Sequence, residues 1–255
     1  MAVNSISGAG YLLQGMRLIA RPGLRRFVFI PLLINIGVFS IAIYYGVSQF
    51  DTLIAWIEAK IPSLPDWLSW LEQGLEWILW PLFVLLVVIL VFYGFTLVAN
   101  LIASPFNGLL AEKVELLLTG KPLDSGGGIK QAMVELLPTL VDELKKVLYA
   151  LVWAVPFLIL AFVVPVVGPV IWFLFTAWVL ALEYSDFPMG NHRLKFRDMR
   201  KRLRARPLLS LGFGAATAGL TMVPVLNFIA MPSAVAGATA MWVGALKSSG
   251  TFDEG

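Results

Sequence analysis

The sequence predicts an all-α integral membrane protein: two long transmembrane helices, two re-entrant, half-penetrating helical hairpins, and interfacial amphipathic helices. Three observations carry this expectation. Of 255 residues, 59% are hydrophobic and only 14% charged, with a mean hydropathy of +0.84, whereas soluble domains carry about a quarter charged residues. The apolar residues gather in four charge-free stretches, 27–50, 77–111, 147–182 and 207–246. The last two are each split near the middle by proline and glycine.

Taken in chain order, the elements form one membrane domain over 1–255. Residues before Arg17 are uncharged, and no small-residue cleavage pattern follows a short apolar core, so the first apolar segment is expected to stay as a structural helix. Ile6, Tyr11, Leu12, Leu13 and Ile19 give the N-terminal stretch an apolar side, expected to lie on the inner membrane surface. A span needs about 20 apolar residues. Residues 27–50 supply span 1 and 77–103 supply span 2, which is long enough to tilt. Between them, 51–76 sets Trp56, Trp67 and Trp70 among Asp51, Glu58, Asp66 and Glu72, a pattern of short helices on the outer interface. Residues 104–146 read as a cytoplasmic helical extension, with helices in "AEKVELLLTG" and "IKQAMVELLPTLVDELKKVL" joined by a turn through Gly120–Gly128.

The third stretch breaks at "VVPVVGPVI" and the fourth at "MVPVLNFIAMPSA", leaving halves of about 13 to 17 residues. Such halves are short for a full crossing. Hairpin 1 (147–182) and hairpin 2 (207–246) therefore read as entering and leaving on one face, their irregular turns covered by protein or lining water. Six ordinary spans is the alternative. Between the hairpins, 193–206 is a basic surface helix suited to acidic lipid, not to nucleic acid.

Of the 19 Lys and Arg, four precede span 1, five lie between Ala111 and Val147, eight between His192 and Pro207, and Lys247 follows hairpin 2. Only Lys60 falls in 51–76. Basic loops stay inside, so both termini are expected in the cytoplasm.

Composition and motifs narrow the chemistry. With no cysteine and a single histidine, His192, neither thiolate nor multi-histidine metal centres are available. No phosphate-binding loop, nucleophile elbow or zinc-protease helix is present. The expectation is a non-enzyme without cofactor or metal and without an ATPase of its own.

The strongest constellation is "RPGLRRFVFIPLLIN", 21–35. Pro22 and Gly23 end one helix and start another, where free N–H groups and the positive end of a helix dipole favour an anion. Guanidinium groups match a tetrahedral oxyanion and stay charged. Cations at a helix start oppose its dipole unless an anion lies between them. Spacing alone leaves two anions open, a transported ion or a lipid phosphate, beside a plain orienting role for Arg21, Arg25 and Arg26. Asn35, Asn100 and Asn107 lie in or near lipid depth, and Asn227 at a hairpin tip; each pairs between helices or faces a pore. Glu183 and Asp186 stand where hairpin 1 leaves the membrane and are candidates for proton coupling or for salt bridges to the basic run.

These segments resemble the CysZ family of bacterial sulfate permeases, through "PGLRRFVFIPLLIN" at 22–35, "SPFNGLLAEKVE" at 104–115, "LEYSDFPM" at 182–189 and "VPVLNFIAMPSAVAGATAMWV" at 223–243. The resemblance covers nearly the whole chain. It implies a multi-pass bacterial inner-membrane protein that forms homo-oligomers and feeds sulfate to cysteine biosynthesis. It also implies that a Gly-Leu-Arg element, here Gly23, Leu24 and Arg25 with Arg26 adjacent, binds sulfate, with sulfite and thiosulfate as related anions. The competing reading is a non-transporting scaffold whose arginines hold lipid phosphate.

Overall fold

The computed structural model describes residues 7–49, 105–123 and 129–247, with isolated helical positions at 52, 56, 81 and 85; among these residues every regular element is a helix. The expected outer segment 51–76 and span 2 at 77–103, Asn100 included, otherwise lie outside the described residues. We label the helices α1 (Gly8–Ile19), α2 (Arg26–Ser48), α3 (105–119), α4 (Ile129–Val163), α5 (Gly168–Asn191), α6 (Phe196–Ala205), α7 (Pro207–Thr221) and α8 (Pro224–Met241); α8 continues into a π turn, Trp242–Leu246. The chain divides into two compact units, Met1–Val28 with Phe106–Gly255, and Phe29–Pro105.

Among the described residues, four helical segments are long and apolar enough to cross a membrane: Arg26–Tyr45, Leu144–Val163, Gly168–Asn191 and Pro224–Leu246. The all-helical membrane class read from composition is thus the class of the structure. In the second unit the described element is α2, a continuous apolar helix in place of span 1.

In the first unit the chain folds back twice. α4 ends at Val163, the turn Val164–Val167 follows, and α5 starts at Gly168 with Pro169 in its first turn, where a missing N–H costs no helical bond. α7 and α8 are joined by only Met222 and Val223, with Pro224 opening α8 in the same way. Both tips are apolar and exposed, led by Phe162, Val166, Val225 and Phe228. Both arms of hairpin 1 continue as helix beyond the expected membrane bounds, α4 running unbroken from Ile129 and α5 to Asn191. At the base of the hairpin Lys146 Nζ donates to Asp186 Oδ2 at 2.6 Å.

α8 is the centre of this unit: from Ala230 to Trp242 only Met231 is less than fully buried. Its run Ser233–Ala240 contains only small residues and one valine, which lets neighbouring backbones come close, the usual basis of helix packing in lipid. A Cβ on Gly15 would overlap Ser233 O and the Gly237 backbone. The α1 backbone therefore rests directly on α8. The N-terminal stretch was expected to turn its apolar side to the membrane surface. Instead Tyr11, Leu12, Leu18 and Ile19 are buried, and α1 packs against α7 and α8. Two buried threonines on these helices bond backward along their own turns, Thr217 to Phe213 O at 2.9 Å and Thr239 to Val235 O at 2.8 Å, so they need no partner across the interface.

Candidate functional site

Between α1 and α2 the chain makes a tight turn. Leu24 N–H donates to Arg21 O at 3.1 Å, closing a four-residue turn with Pro22 second and Gly23 third, the latter at φ 87°. This is the type II pattern, in which proline fixes one angle and only glycine enters the left-handed region freely. Nothing lies within 4 Å of where a Gly23 Cβ would sit, so backbone conformation, not space, requires glycine there. Leu24 is buried in the core cluster and fastens the turn, while Arg21, Pro22, Gly23, Arg25 and Arg26 are exposed.

The amides divide into two sets. Those of Leu24, Arg25, Phe27 and Val28 donate to Arg21, Arg21, Leu24 and Arg25 carbonyls at 3.0–3.3 Å. Among the described residues, those of Gly23 and Arg26 have no backbone acceptor. The guanidiniums also differ. Arg25 Nε donates to Ala20 O at 2.6 Å, capping the negative end of α1 and fixing the base of its side chain. Arg26 lies over the Phe27 ring, 5.0 Å from Cζ to the centroid. Among the described residues no carboxylate pairs with Arg17, Arg21, Arg25 or Arg26. Four cations in ten residues thus face no counter-charge among the described residues, and such a concentration raises the local anion population.

The other expected residues are scattered. Asn35, on α2, has an enclosed Oδ1, and Asn107, on α3, an enclosed Nδ2; neither atom has a partner among the described residues. Asn227 is exposed in the first turn of α8, its N–H donating to Val223 O at 2.9 Å. Glu183 and Asp186 lie one turn apart on α5 and face Lys146 of α4. Asp186 thus pairs with a cation on the opposite hairpin arm. Within the first unit, the structure brings Gly23, Leu24, Arg25 and Arg26 together, and Glu183 with Asp186, but does not join these two groups.

Sequence reasoning missed a second cluster. Glu115 of α3 is only 2% exposed. His192 Nε2 meets its two oxygens at 2.8 and 2.9 Å, and Lys247 Nζ donates to Oε1 at 2.9 Å. His192 and Arg202 both lie against the Trp242 ring, at 5.3 and 5.2 Å, and Arg202 Nη1 donates to Leu246 O at 3.1 Å. The cluster floors a cavity of about 620 Å³ also lined by Thr119, Lys121, Asn191 and Arg193. The ends of α3, α5 and the π turn converge here, so cations complement their dipoles. No local signal pointed to this arrangement, because 77 and 132 residues separate Glu115 from its partners.

Comparison with known families agrees with this architecture. The model of the family described as "Sulfate transporter CysZ/Etoposide-induced protein 2.4" matches residues 11–232, a span that includes the Arg21–Arg26 turn and both hairpin turns. The chain belongs to that family.

Proposed function

We propose that this member of a sulfate transporter family is a permease of the bacterial inner membrane that supplies sulfate for assimilation into cysteine, with Gly23, Leu24, Arg25 and Arg26 as its oxyanion site. The observation that carries this reading is the turn itself: exposed guanidiniums without carboxylate partners beside the unpaired amides of Gly23 and Arg26. Arg25, held at Nε by Ala20, offers its two Nη nitrogens as a fork, and Arg26 supplies the second charge. Leu24 acts through its buried side chain, holding the turn in place; its amide is already used within the turn. Each charge-assisted hydrogen bond to a sulfate oxygen contributes about 1.5–3 kcal/mol.

A dianion cannot cross hydrocarbon bare, so the path beyond the turn needs water and polar groups. Asn107, whose Nδ2 has no partner among the described residues, is the leading candidate in the first unit, with Asn35, Asn100 and Asn227 as further ones. The exposed apolar hairpin tips support hairpins that end within the bilayer, with the route shared between copies in a homo-oligomer. The basic loops support a cytoplasmic position for both termini. Glu183 and Asp186 remain candidates for coupling, although the Lys146 pairing supports a structural role for Asp186. Sulfite and thiosulfate offer the same oxygen geometry to the site.

Uptake of labelled sulfate into vesicles holding only this protein tests the proposal. We expect flux from the native chain and a loss of at least about tenfold for the folded Arg25→Ala, Arg26→Ala variant, the equivalent of one such bond. Unchanged flux makes the arginines a topological anchor. No flux from either protein favours the alternative, a scaffold whose arginines hold lipid phosphate.

A further inference from the structure

Away from the turn, α4, α5 and α6 build a groove whose chemistry changes along its length. Its mouth, about 510 Å³, is lined by Lys195, Arg197 and Arg200 near α6, by Lys145, and by no carboxylate among its lining residues. Tyr149 and Trp153 line the mouth and also the start of a second, mainly apolar cavity of about 380 Å³, which continues past Phe157, Leu174 and Ile171 and has Arg204 as the one charged residue of its lining. The two are therefore one groove with a cationic head and an aromatic and aliphatic tail. Tyr149 marks the junction. Its hydroxyl accepts from Trp178 Nε1 at 3.0 Å, and Arg200 lies over its ring at 4.9 Å. Below it, Phe157 stacks on Phe175 at 4.8 Å.

We propose that this groove binds one anionic phospholipid, with its phosphate among Lys195, Arg197 and Arg200 and an acyl chain along the Tyr149–Phe157 face of α4. Three features select that occupant. Leu144–Val163 is apolar and has none of its residues buried, so the slot opens into hydrocarbon, where neither a soluble protein nor a nucleic acid can follow. Cations, then Tyr149 with Trp153 and Trp178, then aliphatic and phenyl groups reproduce the layering of a bilayer leaflet, where tyrosine and tryptophan sit at headgroup level. The helix from Lys145 to Phe157 rises about 18 Å, close to the roughly 15 Å hydrocarbon depth of one leaflet. Basic pockets between membrane helices hold acidic headgroups on the same physical grounds. α6 itself buries Phe196, Met199 and Leu203, which fixes its cations over the groove instead of leaving them to a diffuse surface attraction.

The test is native mass spectrometry of the full-length protein in detergent, with phosphatidylglycerol and phosphatidylcholine of identical chains. We expect one retained phosphatidylglycerol and a loss of its preference by about ten- to thirtyfold in Lys195→Ala, Arg197→Ala. Both side chains are exposed, so this variant keeps the fold. Leu174→Trp, which fills the slot, should lower retention without changing the headgroup preference, and Lys113→Ala, on another surface, should change nothing. Equal retention of both lipids, or undiminished preference in the double variant, overturns the proposal. So does displacement by glycerol phosphate or inorganic phosphate as effective as displacement by whole lipid, which would make the mouth a site for free anions.

Discussion

The Arg21–Arg26 turn and the Glu115 cluster are both concentrations of charge in a chain that is only 14% charged, yet they are built in opposite ways. Around Glu115 the charges answer one another: a buried carboxylate is held by His192 and Lys247, and Arg202 caps the carbonyls that end the chain's last helix. At the turn, Arg25 caps a helix through one nitrogen, and the remaining positive charge has no protein partner among the described residues. The contrast between a balanced cluster and an open one is what supports the proposal that the turn takes its anion from outside. The difference between the two regions lies in what the fold places opposite each basic residue, which the basic residues themselves do not reveal.

The largest expected effect lies in the closed region. His192→Ala with Lys247→Ala strands the Glu115 carboxylate in a nearly dry site, and we expect a loss of about 3–5 kcal/mol of stability, read as a lower unfolding temperature in detergent. Adding Glu115→Gln should recover part of it, since a neutral amide costs less to bury. A pair variant as stable as the native chain would show that water reaches Glu115 and that the contrast is weaker than drawn. Next in size, Arg26→Ala should weaken sulfate binding by about 1.5–3 kcal/mol while leaving thermal stability nearly unchanged, because the side chain is exposed and stacks only on Phe27.

Gly23→Ala should cost about 1–3 kcal/mol through backbone conformation alone, because the added methyl meets no neighbour. Gly23→Asn should cost less, since asparagine tolerates the left-handed region better. If the two variants behave alike, steric fit, not φ, governs the position. The smallest effect is at the hairpin base. Breaking the Lys146–Asp186 pair with Asp186→Asn should change stability by about 1 kcal/mol or less and leave the pH profile of sulfate flux unmoved. A shifted profile would make Asp186 a coupling group and open a third region in which charge is used rather than balanced.

What could be read from the sequence was local chemistry. Pro22-Gly23 announces its turn, Pro169 and Pro224 announce the starts of α5 and α8, and the charge-free run after Arg26 announces α2, because each depends on residues next to one another. The Lys146–Asp186 pair at the base of hairpin 1 was not legible, since its members lie 40 residues apart and meet only after folding. α1 was read as a surface helix because Gly15 carries no sign in the sequence that its absent side chain admits Gly237 of α8. For the site, the sequence pointed to the arginines and the glycine but not to the division of labour between them: which amides the turn consumes, and which guanidinium is tied to α1. Nor did it place Glu115 against His192 and Lys247, a cluster made by three chain segments that meet only in the fold.

The most direct test of the contrast is calorimetric titration of sulfate into the purified, detergent-solubilised protein, with Arg26→Ala and Lys247→Ala examined in parallel. The account predicts that Arg26→Ala weakens sulfate affinity by tenfold or more and that Lys247→Ala, whose charge is already matched by Glu115, leaves it within about twofold. Affinity that survives Arg26→Ala, or that falls with Lys247→Ala instead, would contradict the claim that the open cluster is the one that holds the anion.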